Sequence, residues 1–236
     1  MSYPFYAIFG SLPSLAWLLF YLRKDKNPES NRQILKTFSW GMFAALPAVF
    51  LEIGVFEVFS GFKFPSLLVN LLNIFIGVAL VEEILKYMVI KNKILPSSHF
   101  DEPVDLMIYM ITAALGFAAV ENILILFQLG PGFLPGRALE VSLFRFFGAT
   151  FLHALASGLV GYFLAKSICA AKNKNRLIVF GLAISIALHG LYNFSIMRLA
   201  ENFKLMIPAA ILIGLAIFIS LGFKKLKKMK SVCIIK

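Results

Sequence analysis

Apolar residues run along this chain in long unbroken blocks, each closed by charge or by turn residues, without the two-residue alternation of a half-buried strand. Seven such blocks occupy approximately residues 5–22, 35–60, 65–90, 104–128, 142–168, 177–198 and 205–223. A helix needs roughly 20 residues, at about 1.5 Å each, to cross some 30 Å of hydrocarbon. Every block is near or above that length. A membrane β-barrel needs short segments of alternating polarity, so the pattern predicts an all-α, polytopic bundle of about seven transmembrane helices. The connections are too short for a separate soluble domain. The chain therefore reads as one integral membrane domain over 1–223 with a basic tail over 224–236, and the stretch GPGFLPG from Gly130 to Gly136 is a turn-rich linker.

Composition agrees. Of 236 residues, 60% are hydrophobic, 25 are Phe and only 15% are charged, whereas a soluble fold carries about a quarter charged residues. The 23 Lys and Arg against 12 Asp and Glu would suggest nucleic acid in a soluble chain, but here they gather at block ends and set topology instead. One set of connections collects the clusters Arg23–Lys36, Lys91 with Lys93, Lys166–Arg176, and the Lys-rich tail after Phe223. The other holds only Lys63, Arg137, Arg145, Arg198 and Lys204. By the positive-inside rule the first set is cytoplasmic, which puts the N-terminus outside and the C-terminus in the cytoplasm of a multi-pass protein of the cell membrane. The first block has a basic cluster after it and none before it, the reverse of a cleaved signal peptide, so it reads as a retained helix. The Lys-rich tail is expected to lie against anionic lipid headgroups, and no nucleic-acid partner is expected.

An ionisable group at mid-membrane costs at least about 2.5 to 3.5 kcal/mol, so each one needs a partner or a task. Four consecutive blocks carry such groups. The third contains Glu82-Glu83-Ile84-Leu85-Lys86, the fourth Phe117 and Glu121, the fifth His153, and the sixth His189-Gly190-Leu191-Tyr192-Asn193. Glu82 with Lys86, Phe117 with Glu121, and His189 with Asn193 are i, i+4 pairs, so each shares one helix face. Counted from the block midpoints, the whole set fits a band of about 15 Å and is free to converge on one cavity. Lys86 pairs Glu82 and leaves Glu83 about 100° round the helix; either carboxylate is a candidate proton acceptor. Two His from neighbouring helices plus a Glu are the ligand types of a catalytic zinc. Water on such a zinc loses its proton near neutral pH, and an adjacent Glu can pass that proton to a leaving amine. Such a set could hydrolyse an amide. There is no His-Glu-x-x-His helix and no Gly-x-Ser-x-Gly elbow, and the last block has no Lys for a retinal Schiff base.

Over roughly residues 65–198 these motifs resemble the PrsW-type intramembrane proteases, relatives of the CAAX prenyl endopeptidases and bacteriocin-immunity membrane proteases. The matching boxes are Glu82-Glu83-x-x-Lys86, Phe117-x-x-x-Glu121, His153 and His189-x-x-x-Asn193. The resemblance implies Glu82 or Glu83 as general base, oriented by Lys86, and His153 and His189 as metal ligands or water-positioning groups, with Glu121 as the third candidate metal ligand. It implies Asn193 as an oxyanion-stabilising residue, with zinc as the metal, and Arg145 as a possible further member. The implied substrate is a membrane-anchored protein cut in or near its transmembrane segment, such as an anti-sigma factor in a regulated cascade. Two positions depart from the pattern. Ala149 stands where relatives often have Phe, and Asn193 replaces an Asp.

The rival reading is a proton-coupled transporter or channel using the Glu and His groups as a relay, which expects polar residues spread through the bilayer thickness. A non-catalytic scaffold is the third. Glu52 and Glu57 read as structural, facing the outer mouth or pairing with Arg145. His99, Asp101 and Glu102 read as a solvated face, Asn70 and Asn73 as helix-packing residues, and the Phe excess as lipid-facing bulk.

Overall fold

The computed structural model describes residues 3–25, 27–97, 100–128, 130, 135–170 and 172–229. Regular structure among them is helical throughout: α1 Tyr3–Leu22, α2 Asn31–Ser60, α3 Ser66–Leu72, a π-helical segment Asn73–Leu80, α4 Val81–Lys93, α5 Pro103–Gln128, α6 Pro135–Phe147, α7 Ala149–Cys169, α8 Lys174–Arg198, α9 Glu201–Lys204 and α10 Met206–Lys228. Seven helical stretches are long and apolar enough to cross a membrane, with α3, the π segment and α4 forming one of them and α6 with α7 another. The predicted spans match in number and order.

Local chemistry sets several boundaries. Ser30 caps α2 by accepting a hydrogen bond from Gln33 N–H at 3.3 Å. Asp105 holds the start of α5 by accepting from the backbone N–H groups of Asp101 (3.0 Å) and Glu102 (2.7 Å). Glu102 also accepts from the Asn27 side chain at 2.6 Å in an exposed hydrogen bond. His99 lies outside the described residues. So do residues 230–236 of the basic tail, whose first part through Lys228 continues α10 as helix.

Helix α5 is the axis of the bundle. Every residue from Pro103 to Ala119 is buried, enclosed mainly by α7, α2 and α1. The crossing with α2 is as close as backbones allow, because a Cβ on Gly116 would lie 2.0 Å from Phe38 O and one on Gly41 2.0 Å from Ala113 O. Only glycine fits at either position, the usual device of tightly packed membrane helices. Many Phe side chains do face outward, Phe50 (75% exposed) and Phe144 (72%) among them, while Phe38, Phe100, Phe117 and Phe223 are buried in the core.

Two spans are less regular than their hydropathy implies. The third is wound as a π-helix over Asn73–Leu80, immediately before the Glu82–Glu83 pair. The fifth begins at Pro135 and breaks at Gly148, whose φ of −104° and ψ of −103° lie outside the helical region. A Cβ there would meet Tyr192 Oη at 2.6 Å. Trp17 of α1 clasps this break, stacking on Phe146 and Phe151 and donating its indole N–H to Phe146 O at 2.8 Å.

Candidate active site

Glu82, Glu83 and Lys86 lie in the first turns of α4, His153 one turn into α7 and His189 in the second half of α8, and all five are buried. The π segment sets the rotation at which α4 presents its carboxylates; such segments recur at functional sites. Lys86 Nζ sits at the centre. It donates to Glu82 Oε2 and Glu83 Oε1, each at 2.9 Å, lies 2.7 Å from His153 Nδ1 and covers the Phe117 ring at 4.6 Å. Lys86 thus serves both carboxylates; the expectation that it pairs Glu82 alone is corrected, because i+3 and i+4 are both within reach of its flexible stem.

The two carboxylates differ in their remaining partners. Glu83 is enclosed: it accepts from Ser185 (3.0 Å) and Ser157 (3.3 Å), and His189 Nδ1 lies 3.0 Å from its Oε1. Glu82 Oε2 stands 3.6 Å from His153 Nδ1 and 4.0 Å from His189 Nε2. Unlike Glu83, Glu82 lines a 610 Å³ cavity together with Glu121, Arg145, Asn193 and Glu52.

Hydrogen-bond partners fix both imidazoles. An ammonium can only donate, so His153 Nδ1 accepts from Lys86 and its Nε2–H donates to Glu121 Oε2 at 2.8 Å. A carboxylate can only accept, so His189 donates its Nδ1–H to Glu83, and its Nε2 faces Glu82. Beyond His153 the network continues outward. Arg145 Nη2 pairs with Glu121 Oε2 at 3.1 Å, and Arg145 Nε donates to Asn122 Oδ1. Asn122 Nδ2 in turn lies 3.1 Å from Gly10 O and 3.0 Å from Thr150 Oγ1.

Ligand atoms of Glu82, Glu83, His153 and His189 all lie within 4.8 Å of one another. Donors about 2.0–2.1 Å from a tetrahedral zinc are separated by about 3.4 Å, and the two Glu82–His separations of 3.6 and 4.0 Å come near that. His189 also has the imidazole-to-carboxylate bond that orients metal-bound histidines. The donor set fits a divalent metal. For His153 to join it, Lys86 must move off Nδ1, where its ammonium now supplies the positive charge. Glu121, expected among the metal ligands, stands instead on the far side of His153, bonded to Nε2 and outside this quartet, where it can orient the imidazole.

The family described as PrsW family intramembrane metalloprotease matches residues 29–221. The chain belongs to that family. A PrsW protease of Bacillus subtilis is 28% identical over 227 residues, covering 94% of each chain. That of Oceanobacillus iheyensis is 28% identical over 204 residues, 86% of this chain and 88% of the relative. That of Clostridioides difficile is 30% identical over 192 residues, 79% and 76% respectively. No solved structure matches the chain. As a PrsW-family member it is a multi-pass membrane protein of a protease family, and the polar groups of its spans meet in one place.

Every sequence-predicted site residue is in or beside this network. Asn193, one turn beyond His189, lines the cavity, and no hydrogen bond among the described residues holds its side chain. Arg145 pairs with Glu121 and not with Glu52 or Glu57; Glu57 is exposed, and Glu52 faces the cavity. Asn70 and Asn73 line the same cavity near Arg198, which donates to Asn70 Oδ1 at 2.8 Å. Sequence reasoning missed Ser157 and Ser185. The available signal was their place among buried residues one turn after His153 and one turn before His189.

Proposed function

We propose that this protein is an intramembrane peptidase that hydrolyses a peptide bond in or near the membrane segment of a membrane-anchored protein. The observation that carries this reading is the asymmetry of the carboxylate pair. Glu82 reaches the cavity and Glu83 is locked behind it, while both share Lys86. Lys86 donates to Glu82 and holds it at the cavity wall. Glu82 is the general base: it takes a proton from a water attacking the substrate carbonyl, then delivers it to the departing amine nitrogen. His189, oriented by Glu83, and His153, oriented by Glu121, position that water and would be the nitrogen ligands of a zinc. When bound, the metal lowers the pKa of water and polarises the carbonyl. Asn193 points the donors of its amide at the developing oxyanion, the role open to a side chain without another partner.

A membrane helix satisfies its own backbone and must unwind before its amides meet water, and the 610 Å³ cavity offers polar groups where that can happen. The N-outside, C-cytoplasmic orientation, the anionic-lipid contact of the basic tail and an anti-sigma factor as substrate belong to the same proposal. The relay reading is not favoured, because the polar network runs from Ser185 to Arg145 and Asn122, while the rest of α5, from Val104 to Leu115, is buried and largely apolar. The test is cleavage of a membrane-anchored substrate by wild type, Glu82→Gln, Glu83→Gln and His189→Ala protein of verified fold in lipid bilayers. Loss of turnover with Glu82→Gln supports the assignment; cleavage that persists in all three variants removes it.

A further inference from the structure

Four carboxylates, Glu52, Glu82, Glu83 and Glu121, stand in or directly behind the cavity. The protein provides ion-pair partners for three: Lys86 serves Glu82 and Glu83, and Arg145 serves Glu121. Among the described residues the remaining cation on the cavity wall, Arg198, is bonded to Asn70. Glu52 has neither an ion pair nor a hydrogen bond among the described residues, although it faces the same space. A carboxylate at membrane depth without a counter-charge is costly, so it marks a function that another molecule completes.

Its position narrows that function. One turn beyond Glu52, Phe56 packs on Gly77 of the π segment, its ring 2.7 Å from where a Cβ would stand. The chain reverses between α2 and α3, so the preceding turn of α2 lies level with the start of α4, which carries Glu82. Glu52 therefore faces the proposed base from a helix outside the four that build the polar cluster. It is also absent from the buried quartet of metal-ligand atoms, which argues against a metal as its partner. Around it the α2 wall is apolar: Ala45, Ala48, Val49 and Phe56. An apolar wall ending in a single carboxylate matches a side chain with an aliphatic stem and a cationic head.

We propose that Glu52 is a specificity-determining residue that binds a Lys or Arg side chain of the substrate beside the scissile bond. This rests on the peptidase reading of the same cavity. The substrate cation supplies the missing charge, and the ion pair sets the register in which the peptide bond meets Glu82. Substrates of this protein then carry a basic residue next to the cleaved bond.

The experiment uses the full-length protein in lipid nanodiscs and three membrane peptides identical except for Lys, Met or Glu at the residue flanking the cut. Cleavage is followed with wild type, and binding by fluorescence anisotropy with the Glu82→Gln variant. We expect wild type to favour the Lys over the Met peptide roughly 10- to 100-fold in kcat/KM, chiefly through KM. Glu52→Gln brings the Lys-to-Met ratio close to one, and Glu52→Lys transfers the preference to the Glu peptide. A wild-type ratio near one overturns the proposal, as does a Glu52→Gln variant that loses kcat equally on the Lys and Met peptides. Cleavage of all three peptides at one rate removes the cation site and leaves the peptidase reading standing. Binding that depends on both Lys and Glu52, without cleavage of any peptide, keeps the cation site and removes the peptidase reading.

Discussion

Helix α5 and the second half of α2 are both rich in apolar residues and opposite in environment. From Pro103 to Ala119 every α5 residue is buried; beyond Ala48 no residue of α2 is buried, and none in α3 is. The close crossing at Gly41 and Gly116 clamps the first half of α2 to α5, whereas Gly54, in the second half, has nothing within 4 Å of an added Cβ. The polar cluster lies at the seam. Its histidines and carboxylates are carried by α4, α5, α7 and α8, while the cavity is walled on the other side by Ala45–Phe56 of α2 and by Asn70–Val78. A hydrolase in a membrane needs both conditions. Groups that act together must be held to within fractions of an ångström, and the substrate must still enter from the lipid.

The contrast can be tested at several strengths. Glu82→Gln at the seam should lower turnover of a membrane substrate by about 10²- to 10⁴-fold with little change in thermal unfolding; an equally large loss of stability would make Glu82 a packing residue. On the packed side, Lys86→Ala leaves two buried carboxylates without their shared cation, and a stability loss of about 3–5 kcal/mol is expected in detergent denaturation. Gly116→Val forces a side chain into Phe38 O and should cost about 1–3 kcal/mol or more. Gly54→Val in the open half should shift stability by no more than about 0.5 kcal/mol, and equal effects at the two glycines would abolish the comparison. Ser185→Ala, which removes one of several donors to Glu83, should cost about 1 kcal/mol and reduce activity modestly. Metal analysis of the purified protein, followed by chelation, gives a separate reading of the quartet: zinc lost in a His153→Ala/His189→Ala variant but retained in Glu57→Gln is the expected pattern.

Much of this site is legible in the sequence because helix periodicity is local. Glu82 and Lys86, or His189 and Asn193, share a face whatever surrounds them. Polar residues in long apolar blocks also stand out against their background, which is why the four contributing spans and the family resemblance are visible in the chain. Glu52 and the two serines are different. A carboxylate with no i, i+4 polar partner carries no signal about which helix it faces, and a Ser among small membrane residues looks like packing. The break at Gly148 and the π winding before Glu82 are likewise hidden, since neither changes the hydropathy of its block.

The sequence by itself determined that the chain is a bundle of seven apolar helices and which faces of four of them are polar, because length, hydropathy and the i, i+4 rule act within one segment. Only the tertiary structure decided that Lys86 lies among both carboxylates and His153, that Glu121 stands behind His153, and that Glu82 meets the cavity while Glu83 does not. Those outcomes depend on the rotation and spacing of neighbouring helices, which are set by contacts such as Gly116 against Phe38 between residues far apart in the chain.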